Sequence, residues 1–191
     1  MGLLSLGGGP PAGSRPTPPA FLDQPSPWAD SVFKSLTLEQ RIAQLMMVNA
    51  GNNKDPKQTQ AIEDMVRQYN IGGLIFFKGG PVQQAGLVNR YQAAAKTSLL
   101  IGMDLEWGLS MRLDSTIQFP HQMTLGAAKD EAGIEMMGEE IAREMKRLGV
   151  QVSFSPDVDV NINPANPVIN DRSFGENPEL VARKAIAYMT G

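Results

Sequence analysis

The apolar positions of the chain follow two different periods, which alternate along most of its length. Four short, mainly apolar runs predict buried strands, at Met46–Asn49, Ile71–Phe77, Leu99–Met103 and Val150–Ser155. Between these runs, apolar residues recur every three or four positions, which predicts amphipathic helices. Strand–helix units in series predict an α/β protein whose parallel strands are joined by right-handed helical crossovers.

Residues that commonly begin and end helices bound the predicted helical segments. Thr37 and Gln40 form a capping-box pair, while Asp55 before Pro56 and Asn177 before Pro178 predict N-caps. The predicted stops are Asn70 and Gly149. In each helix the apolar face is expected to pack inward. These faces are Leu38, Ile42, Leu45 and Met46; Ile62, Met65, Val66 and Tyr69; Val82, Ala85, Val88 and Tyr91; Met137, Ile141, Met145 and Leu148; and Leu180, Val181, Ile186 and Met189.

The first 27 residues differ from the rest of the chain. They hold many of its prolines and glycines and few charges, so they are expected to form a flexible Pro/Gly-rich leader. Residues 28–191 carry the four units. Two architectures fit parallel units of this kind, a doubly wound open sheet and a (β/α)₈ barrel. Because a whole barrel needs about 250 residues, a barrel of this length is expected to stop after about four units.

Composition and charge exclude several classes of protein. The formal net charge of −3 argues against a nucleic-acid-binding protein. The chain has no cysteine and a single histidine, which excludes thiolate metal sites, a cysteine nucleophile and a two-histidine metal site. No apolar run is long enough to predict a membrane span, and no cofactor is predicted.

Polar side chains follow the third and fourth predicted strands. Asp104, Glu106, Trp107 and Arg112 come after the third strand, and after the fourth come Asp157, Asp159 and Arg172. The carboxyl ends of parallel strands meet at one edge of the sheet, where ligands bind. Carboxylates and arginine hydrogen-bond sugar hydroxyls, and an aromatic ring can cover an apolar sugar face. The equally weighted alternative is that these acids and the nearby asparagines only form turns and N-caps.

Two long motifs make the interpretation specific. Residues 102–126 (GMDLEWGLSMRLDSTIQFPHQMTLG) and 149–177 (GVQVSFSPDVDVNINPANPVINDRSFGEN) resemble, in order, two segments of glycoside hydrolase family 3. Residues 37–48 also resemble the start of that family's barrel domain. The similarity covers roughly residues 28–191 and is strongest with the bacterial β-N-acetylglucosaminidase branch. It implies a (β/α)₈ barrel, of which this chain would be the N-terminal half.

The resemblance implies an activity and a set of binding residues. Family members hydrolyse terminal β-linked sugars with retention, through a glycosyl-enzyme on an aspartate. By position, Asp104, Arg112 and Arg172 match residues that bind the terminal sugar, and Glu106 matches a residue with a more structural role. Trp107 replaces the family's usual glycine and is a further candidate for substrate binding.

The same resemblance implies that the catalytic groups lie outside this chain. The family's nucleophile and acid/base follow later strands, so both are expected beyond Gly191, and the 191 residues alone are expected to be inactive. His121 lies before the fourth strand and is expected to be non-catalytic. An acid/base pairing of Asp157 or Asp159 with Asp104 is the less favoured alternative, and loop capping by both residues is favoured.

A metal site at the fourth strand is not predicted. The spacing of Asp157, Asp159, Asn161 and Asn163 resembles the start of a calcium-binding loop. An EF-hand also needs glycine at its sixth position and glutamate at its twelfth, where this chain has Ile162 and Val168.

Two hypotheses therefore stand. In the first, the chain is part of a β-N-acetylhexosaminidase acting on glycans or cell-wall fragments, with β-glucosides as the alternative substrate. In the second, it is a non-catalytic half-barrel that binds sugar or pairs with another half. Four parallel strands leave two open edges, so self-association is expected. The expected location is periplasmic or exported, with the cytoplasm as the alternative.

Overall fold

The computed structural model describes residues 24–51 and 55–191. Most of the predicted leader, residues 1–23, lies outside the described residues. The chain divides into two compact units. The first ends at Ser35, and the second begins at Leu36. The described part of the first unit contains helix α1, Pro27–Ser35, which the sequence pattern did not predict. Its proline stands at the start of the helix, where the missing N–H costs nothing.

The second unit is built on a four-stranded parallel sheet. Its strands are β1 (Met47–Asn49), β2 (Gly73–Ile75), β3 (Leu100–Met103) and β4 (Val152–Ser153). They lie in the order β1-β2-β3-β4, and each pairs in parallel with the next. Each strand falls within a predicted apolar run, which confirms the predicted α/β class and the sequential order of the units.

Helices precede, connect and follow the strands. They are α2 (Leu38–Ala43), α3 (Pro56–Tyr69), α4 (Pro81–Ala94), α5 (Gln122–Gly126), α6 (Ala132–Leu148) and α7 (Pro178–Thr190). Two short 3₁₀ turns, Leu109–Met111 and Asn170–Arg172, lie in the loops after β3 and β4. Within the described residues, no helix is both long and apolar enough to cross a membrane.

The predicted helix ends are confirmed. The side chain of Asp55 accepts a hydrogen bond from the backbone at the start of α3, and that of Asn177 does the same for α7. Asn70 and Gly149 end α3 and α6 in the left-handed conformation, with φ of 55° and 69°. Each feature depends on residues close in sequence, which is why local patterns predict it.

The two faces of the sheet are covered differently. On the helix side lies a core of fully buried side chains, among them Leu74, Ile101 and Met103. On the other side, which we call the inner face, a Cβ added to Gly102 would lie 2.8 Å from the ring of Phe154. Leu100 and Phe154 are about half exposed, at 52% and 49%. The inner face is therefore apolar and open among the described residues.

Several predicted apolar faces are wrong. The exposed members are Leu38, Ile42, Leu45, Met46, Tyr69, Val82, Ile186 and Met189. Helix α2 ends after six residues, and only its last residue, Ala43, packs against the core among the described contacts. In α7 the predicted Val181 is buried, but the inward face continues through Ala185 and Tyr188 instead of Ile186 and Met189. The close approach of α6 and α7 is made at Gly138, where an added Cβ would lie 2.4 Å from the carbonyl oxygen of Tyr188.

Candidate functional site

The end of β3 is held in place by hydrogen bonds to its backbone at Leu105. Its N–H donates to the Ser155 hydroxyl (2.7 Å), and its carbonyl oxygen accepts from the buried Tyr188 hydroxyl (2.8 Å). These bonds fasten the residue between Asp104 and Glu106 to the segment after β4 and to α7. The backbone that carries the carboxylates of Asp104 and Glu106 is therefore held by contacts with the segment after β4 and with α7.

Asp104 forms an ion pair with Arg112, which the 3₁₀ turn after β3 brings back towards the strand. Nη2 of Arg112 donates to Oδ2 of Asp104, and the two side chains are 23% and 22% exposed. The guanidinium also lies 5.1 Å from the ring centre of Phe77, at the end of β2. Oδ1 of Asp104 has no protein partner among the described residues, so this carboxylate keeps an acceptor for a ligand.

Glu106 forms a two-point contact with Arg172. Nη2 and Nε of Arg172 lie 2.6 and 2.9 Å from the two carboxylate oxygens of Glu106. The glutamate side chain is 4% exposed and that of the arginine 32%. The hydrogen bonds that Arg172 donates to Glu106 raise the pKa of Arg172 above its ordinary value, and the negative charges of Asp157 and Asp104 act in the same direction. Glu106 thus serves to hold Arg172.

Asp157 joins the same group of charges. Its Oδ2 lies 3.5 Å from Nη2 of Arg172, and its side chain is only 7% exposed. Burial raises the pKa of the Asp157 carboxyl above its ordinary value, and the nearby charge of Asp159 adds to this effect. The N–H of Asp159 donates to Oδ1 of Asp157 (2.8 Å) and partly offsets it. Asp159 itself is exposed.

A third contact between the two loops was missed by the sequence interpretation. The imidazole of His121 stacks on the indole of Trp107, with ring centres 4.1 Å apart and planes 19° from parallel. Nδ1 of the same imidazole lies 2.8 Å from Oδ2 of Asp171. No local pattern reveals this contact, because His121 and Asp171 are 50 positions apart.

The asparagine-rich segment after β4 is shaped by its own hydrogen bonds. Side-chain oxygens of Asn163 and Asn166 accept bonds from backbone N–H groups two residues on. The Ser173 hydroxyl donates to the carbonyl of Asp159 (2.5 Å), and the ring of Phe174 is buried against α7. These asparagines act as turn formers, and the folded segment presents Arg172 to Glu106.

The predicted binding residues therefore separate into groups. Asp104 with Arg112 and Arg172 with Asp157 lie at the carboxyl ends of adjacent strands, close enough for Asp104 to influence the pKa of Arg172. Trp107 sits on the same loop as Glu106, and Asp159 is at the exposed margin. A cavity of about 490 Å³ adjoins Arg112 and is also lined by Lys78, Ser110 and Asp114. Within the described residues, no three His, Asp or Glu side chains group as metal ligands.

This arrangement defines a class of protein: parallel strand–helix units of the barrel type, with acids and arginines gathered at the carboxyl ends of the strands. The sequence model described as "Glycosyl hydrolase family 3 N terminal domain" matches residues 37–191. The chain belongs to this family of glycoside hydrolases. The partial sheet agrees with the barrel-like fold predicted from the motifs.

Individual relatives point the same way. Beta-hexosaminidase A of Pseudoalteromonas piscicida is 33% identical over 81% of this chain and 30% of its own length. The structure of a family 3 β-N-acetylglucosaminidase from Paenibacillus sp. is similar with a TM-score of 0.71 and 33% identity, over 80% of this chain and 30% of that one. Beta-glucoside phosphorylase BglX bound to 2FGlc gives a TM-score of 0.75 with 28% identity, over 86% of this chain and 29% of that one. The chain thus spans less than a third of each of these relatives.

Proposed function

We propose that this chain supplies part of the sugar-binding site of a retaining glycoside hydrolase that removes terminal β-linked N-acetylhexosamine from glycans or cell-wall fragments. The observation that supports this most is the pairing of Asp104 with Arg112 beside the Glu106–Arg172–Asp157 group, in a family 3 fold. In this proposal, residues 28–191 are the N-terminal half of the barrel domain.

The binding roles follow from which polar atoms remain available. Asp104 keeps Oδ1 to accept a sugar hydroxyl, and Arg112 beside it orients that carboxylate. Arg172 is held by Glu106, and its side chain remains 32% exposed for a second hydroxyl. Trp107 offers an apolar surface, and Asp157 and Asp159 line the margin on the β4 side. Hydrogen bonds to charged groups of this kind orient a sugar with few contacts.

The nucleophile and the acid/base are proposed to lie in residues that this chain does not contain. His121 is engaged with Trp107 and Asp171, which supports a non-catalytic role. Asp157 is turned towards Arg172 and Asp159, which supports a binding and capping role for it.

Two assays test the proposal. The 191-residue chain is expected to bind N-acetylglucosamine in a calorimetric or NMR titration, and Asp104→Ala is expected to abolish that binding. Asp64→Ala is the matched control, because Asp64 is exposed on α3 and accepts a hydrogen bond from Gln60 of the same helix. The chain is expected to release no 4-nitrophenol from 4-nitrophenyl β-N-acetylglucosaminide. Turnover that Asp104→Ala abolishes would place the catalytic groups within these residues, while equal binding by wild type and Asp104→Ala would refute the proposed site.

A β-glucoside is the second candidate substrate. It is favoured by the similarity to the β-glucoside phosphorylase structure, which has the higher TM-score of the two structures described above. Titrating the chain with glucose in parallel with N-acetylglucosamine separates the two. Tighter binding of glucose would favour the β-glucoside.

Self-association is the proposed consequence of the open sheet. Strands β1 and β4 are the outer strands, and Leu100 and Phe154 expose apolar surface on the inner face. Sedimentation of the chain is expected to show a species larger than a monomer, and Leu100→Lys with Phe154→Lys is expected to dissociate it. A monodisperse wild-type monomer with a cooperative melt would contradict the proposal.

A periplasmic or exported location is also proposed for the protein, with the cytoplasm as the alternative. Fractionation of the source cells tests this location.

A further inference from the structure

Two adjacent residues after β3 are tied to two adjacent residues after β4. Glu106 contacts Arg172 through an ion pair, and Trp107 reaches Asp171 through the stacked ring of His121. The first tie holds a charged group of the proposed site. The second contact holds the indole ring of Trp107. His121 comes from a third segment, which ends directly before α5.

We propose that His121 and Asp171 are positioning residues that hold the indole of Trp107 as a platform for an apolar face of the bound sugar. The proposal rests on the proposed function of the same site. Neither His121 nor Asp171 touches the sugar in this scheme. Asp171 fixes the imidazole through Nδ1, and the imidazole fixes the indole by stacking on one of its faces.

The geometry supports this role for three reasons. First, the ring centres are 4.1 Å apart and nearly parallel, which is contact distance for stacked rings. Second, Trp107 is neither buried nor fully exposed, so part of its surface remains open to a ligand. Third, Trp107 follows Glu106 directly, and Glu106 is anchored to Arg172, so the backbone that carries the indole is anchored as well.

Preorganisation gives the tie its effect on binding. A free indole samples several rotamers, and a sugar that stacks on it must order it at a cost in affinity. A ring already held by His121 has lost that freedom before the sugar arrives. Removing His121 or Asp171 is therefore expected to weaken sugar binding while leaving the hydroxyl contacts of Asp104 in place.

The first test observes the ring without any sugar. Trp28 and Trp107 are the only tryptophans of the chain, and Trp28 is exposed on α1, so Trp28→Phe makes Trp107 the sole tryptophan, which selective excitation separates from the tyrosines. In this background, His121→Ala and Asp171→Ala are each expected to increase quenching of Trp107 by acrylamide. His121→Phe keeps a stacking ring but loses the bond to Asp171, so it is expected to restore only part of the protection. Asp64→Ala is the control and is expected to change nothing.

The second test measures binding of N-acetylglucosamine to the same variants by titration. We expect Trp107→Gly to weaken binding about 3-fold to 10-fold, which corresponds to the loss of one stacked aromatic contact. His121→Ala and Asp171→Ala are expected to weaken it in the same range, and His121→Phe less. A thermal melt of each variant separates loss of positioning from loss of fold.

The outcomes distinguish this inference from the proposed function. If His121→Ala leaves both quenching and affinity unchanged while Asp104→Ala abolishes binding, the positioning role is refuted and the sugar site stands. If wild type and Asp104→Ala bind alike, the sugar site is refuted, and with it the platform. Increased quenching in His121→Ala and Asp171→Ala, with affinity lost in parallel and partly recovered in His121→Phe, supports the inference.

Discussion

Both oxygens of the buried Glu106 carboxylate accept hydrogen bonds from the guanidinium of Arg172, 66 positions away in the sequence. Glu106 is almost fully buried, and Arg172 engages both of its carboxylate oxygens. It fixes the loop after β4 to the loop after β3 and leaves one edge of Arg172 facing outward. In the proposed site, Glu106 holds the arginine that is proposed to bind the sugar, so the stability of the fold and sugar binding depend on the same contact.

Removal of the Glu106 charge is expected to weaken both properties. In Glu106→Gln, the partly buried guanidinium of Arg172 keeps its charge and loses its counterion. Since Arg172 is still one-third exposed, water offsets part of the loss, and we expect the free energy of unfolding to fall by about 1–3 kcal/mol. Urea-induced unfolding measures this change, and titration with N-acetylglucosamine measures the expected loss of affinity.

A surface ion pair provides the control for that substitution. Glu139 and Arg143 on α6 form a pair at 3.1 Å, but both side chains are more than half exposed. Glu139→Gln is therefore expected to change the free energy of unfolding by no more than about 0.5 kcal/mol. Equal effects of the two substitutions would show that the Glu106–Arg172 contact has no special structural weight.

The sequence predicted best what neighbouring residues decide. The N-caps at Asp55 and Asn177 and the left-handed stop at Gly149 depend on a few adjacent positions, and the structure confirms them. The order of the four strands follows from the serial alternation of strands and helices. The inward faces of the helices were harder to predict. Ile186 and Met189 fit a helical period, but both are exposed, because periodicity does not specify which side of α7 meets α6.

The site was predictable in its motifs and not in its cross-contacts. Asp104 and Arg112 are eight positions apart and lie in one recognisable segment, so their proximity followed from the sequence. The stacking of His121 on Trp107 and its bond to Asp171 arise only when three separate segments converge. Their sequence carries no periodicity or spacing that specifies this convergence.

Two glycines of the same helix are expected to respond to alanine in opposite directions. A Cβ at Gly138 would lie 2.4 Å from the backbone oxygen of Tyr188, and a backbone atom cannot move aside cheaply. Gly138→Ala is therefore expected to destabilise the fold by about 1–3 kcal/mol by separating α6 from α7. At Gly133 an added Cβ meets nothing within 4 Å, so Gly133→Ala is expected to gain up to about 1 kcal/mol from helix propensity.

Thermal and urea unfolding of both glycine variants measure the difference. The comparison cancels the propensity gain that alanine brings to any helix position, so what remains is the packing of α6 against α7. A stabilised Gly138→Ala would show that the two helices tolerate a wider separation than the structure has.

Tyr188 is expected to support the strand end that carries Asp104. Its buried hydroxyl donates to the carbonyl of Leu105, and Tyr188→Phe leaves that carbonyl without this donor, at a cost of about 1–2 kcal/mol in unfolding free energy. Burial raises the pKa of Tyr188 to about 12. The folded state therefore holds this proton more tightly than the unfolded state, and wild-type stability is expected to fall as the pH rises from 10 towards 12.

Unfolding of wild type and Tyr188→Phe at mild and alkaline pH tests this expectation. The variant lacks the hydroxyl, so its deficit relative to wild type should shrink as the pH rises past 10. A deficit that stays constant across that range would contradict the proposed burial of the tyrosine proton.

Asp157 is expected to give the fold a dependence on pH of the same sign, at lower pH. Burial and the charge of Asp159 raise its pKa above the ordinary 3.8, so the folded state binds the proton more tightly than the unfolded state. The free energy of unfolding contributed by Asp157 therefore falls as the pH rises from 3.8 through the folded-state pKa. Asp157→Asn removes this contribution, so the free energy of unfolding of the variant is expected to rise relative to that of wild type as the pH rises.

Glu63 provides a comparison of opposite sign. Hydrogen bonds from Arg67 and Arg90 lower the pKa of Glu63 below its ordinary 4.5, so its contribution to stability is present above that value and is lost as the pH falls through the folded-state pKa. The free energy of unfolding of Glu63→Gln is thus expected to fall relative to that of wild type as the pH rises. The difference is less than about 1 kcal/mol because the arginine partners of Glu63 are about half exposed. Urea unfolding at pH about 4 and about 7 gives both slopes, and slopes of the same sign would show that the surroundings of Asp157 do not raise its pKa.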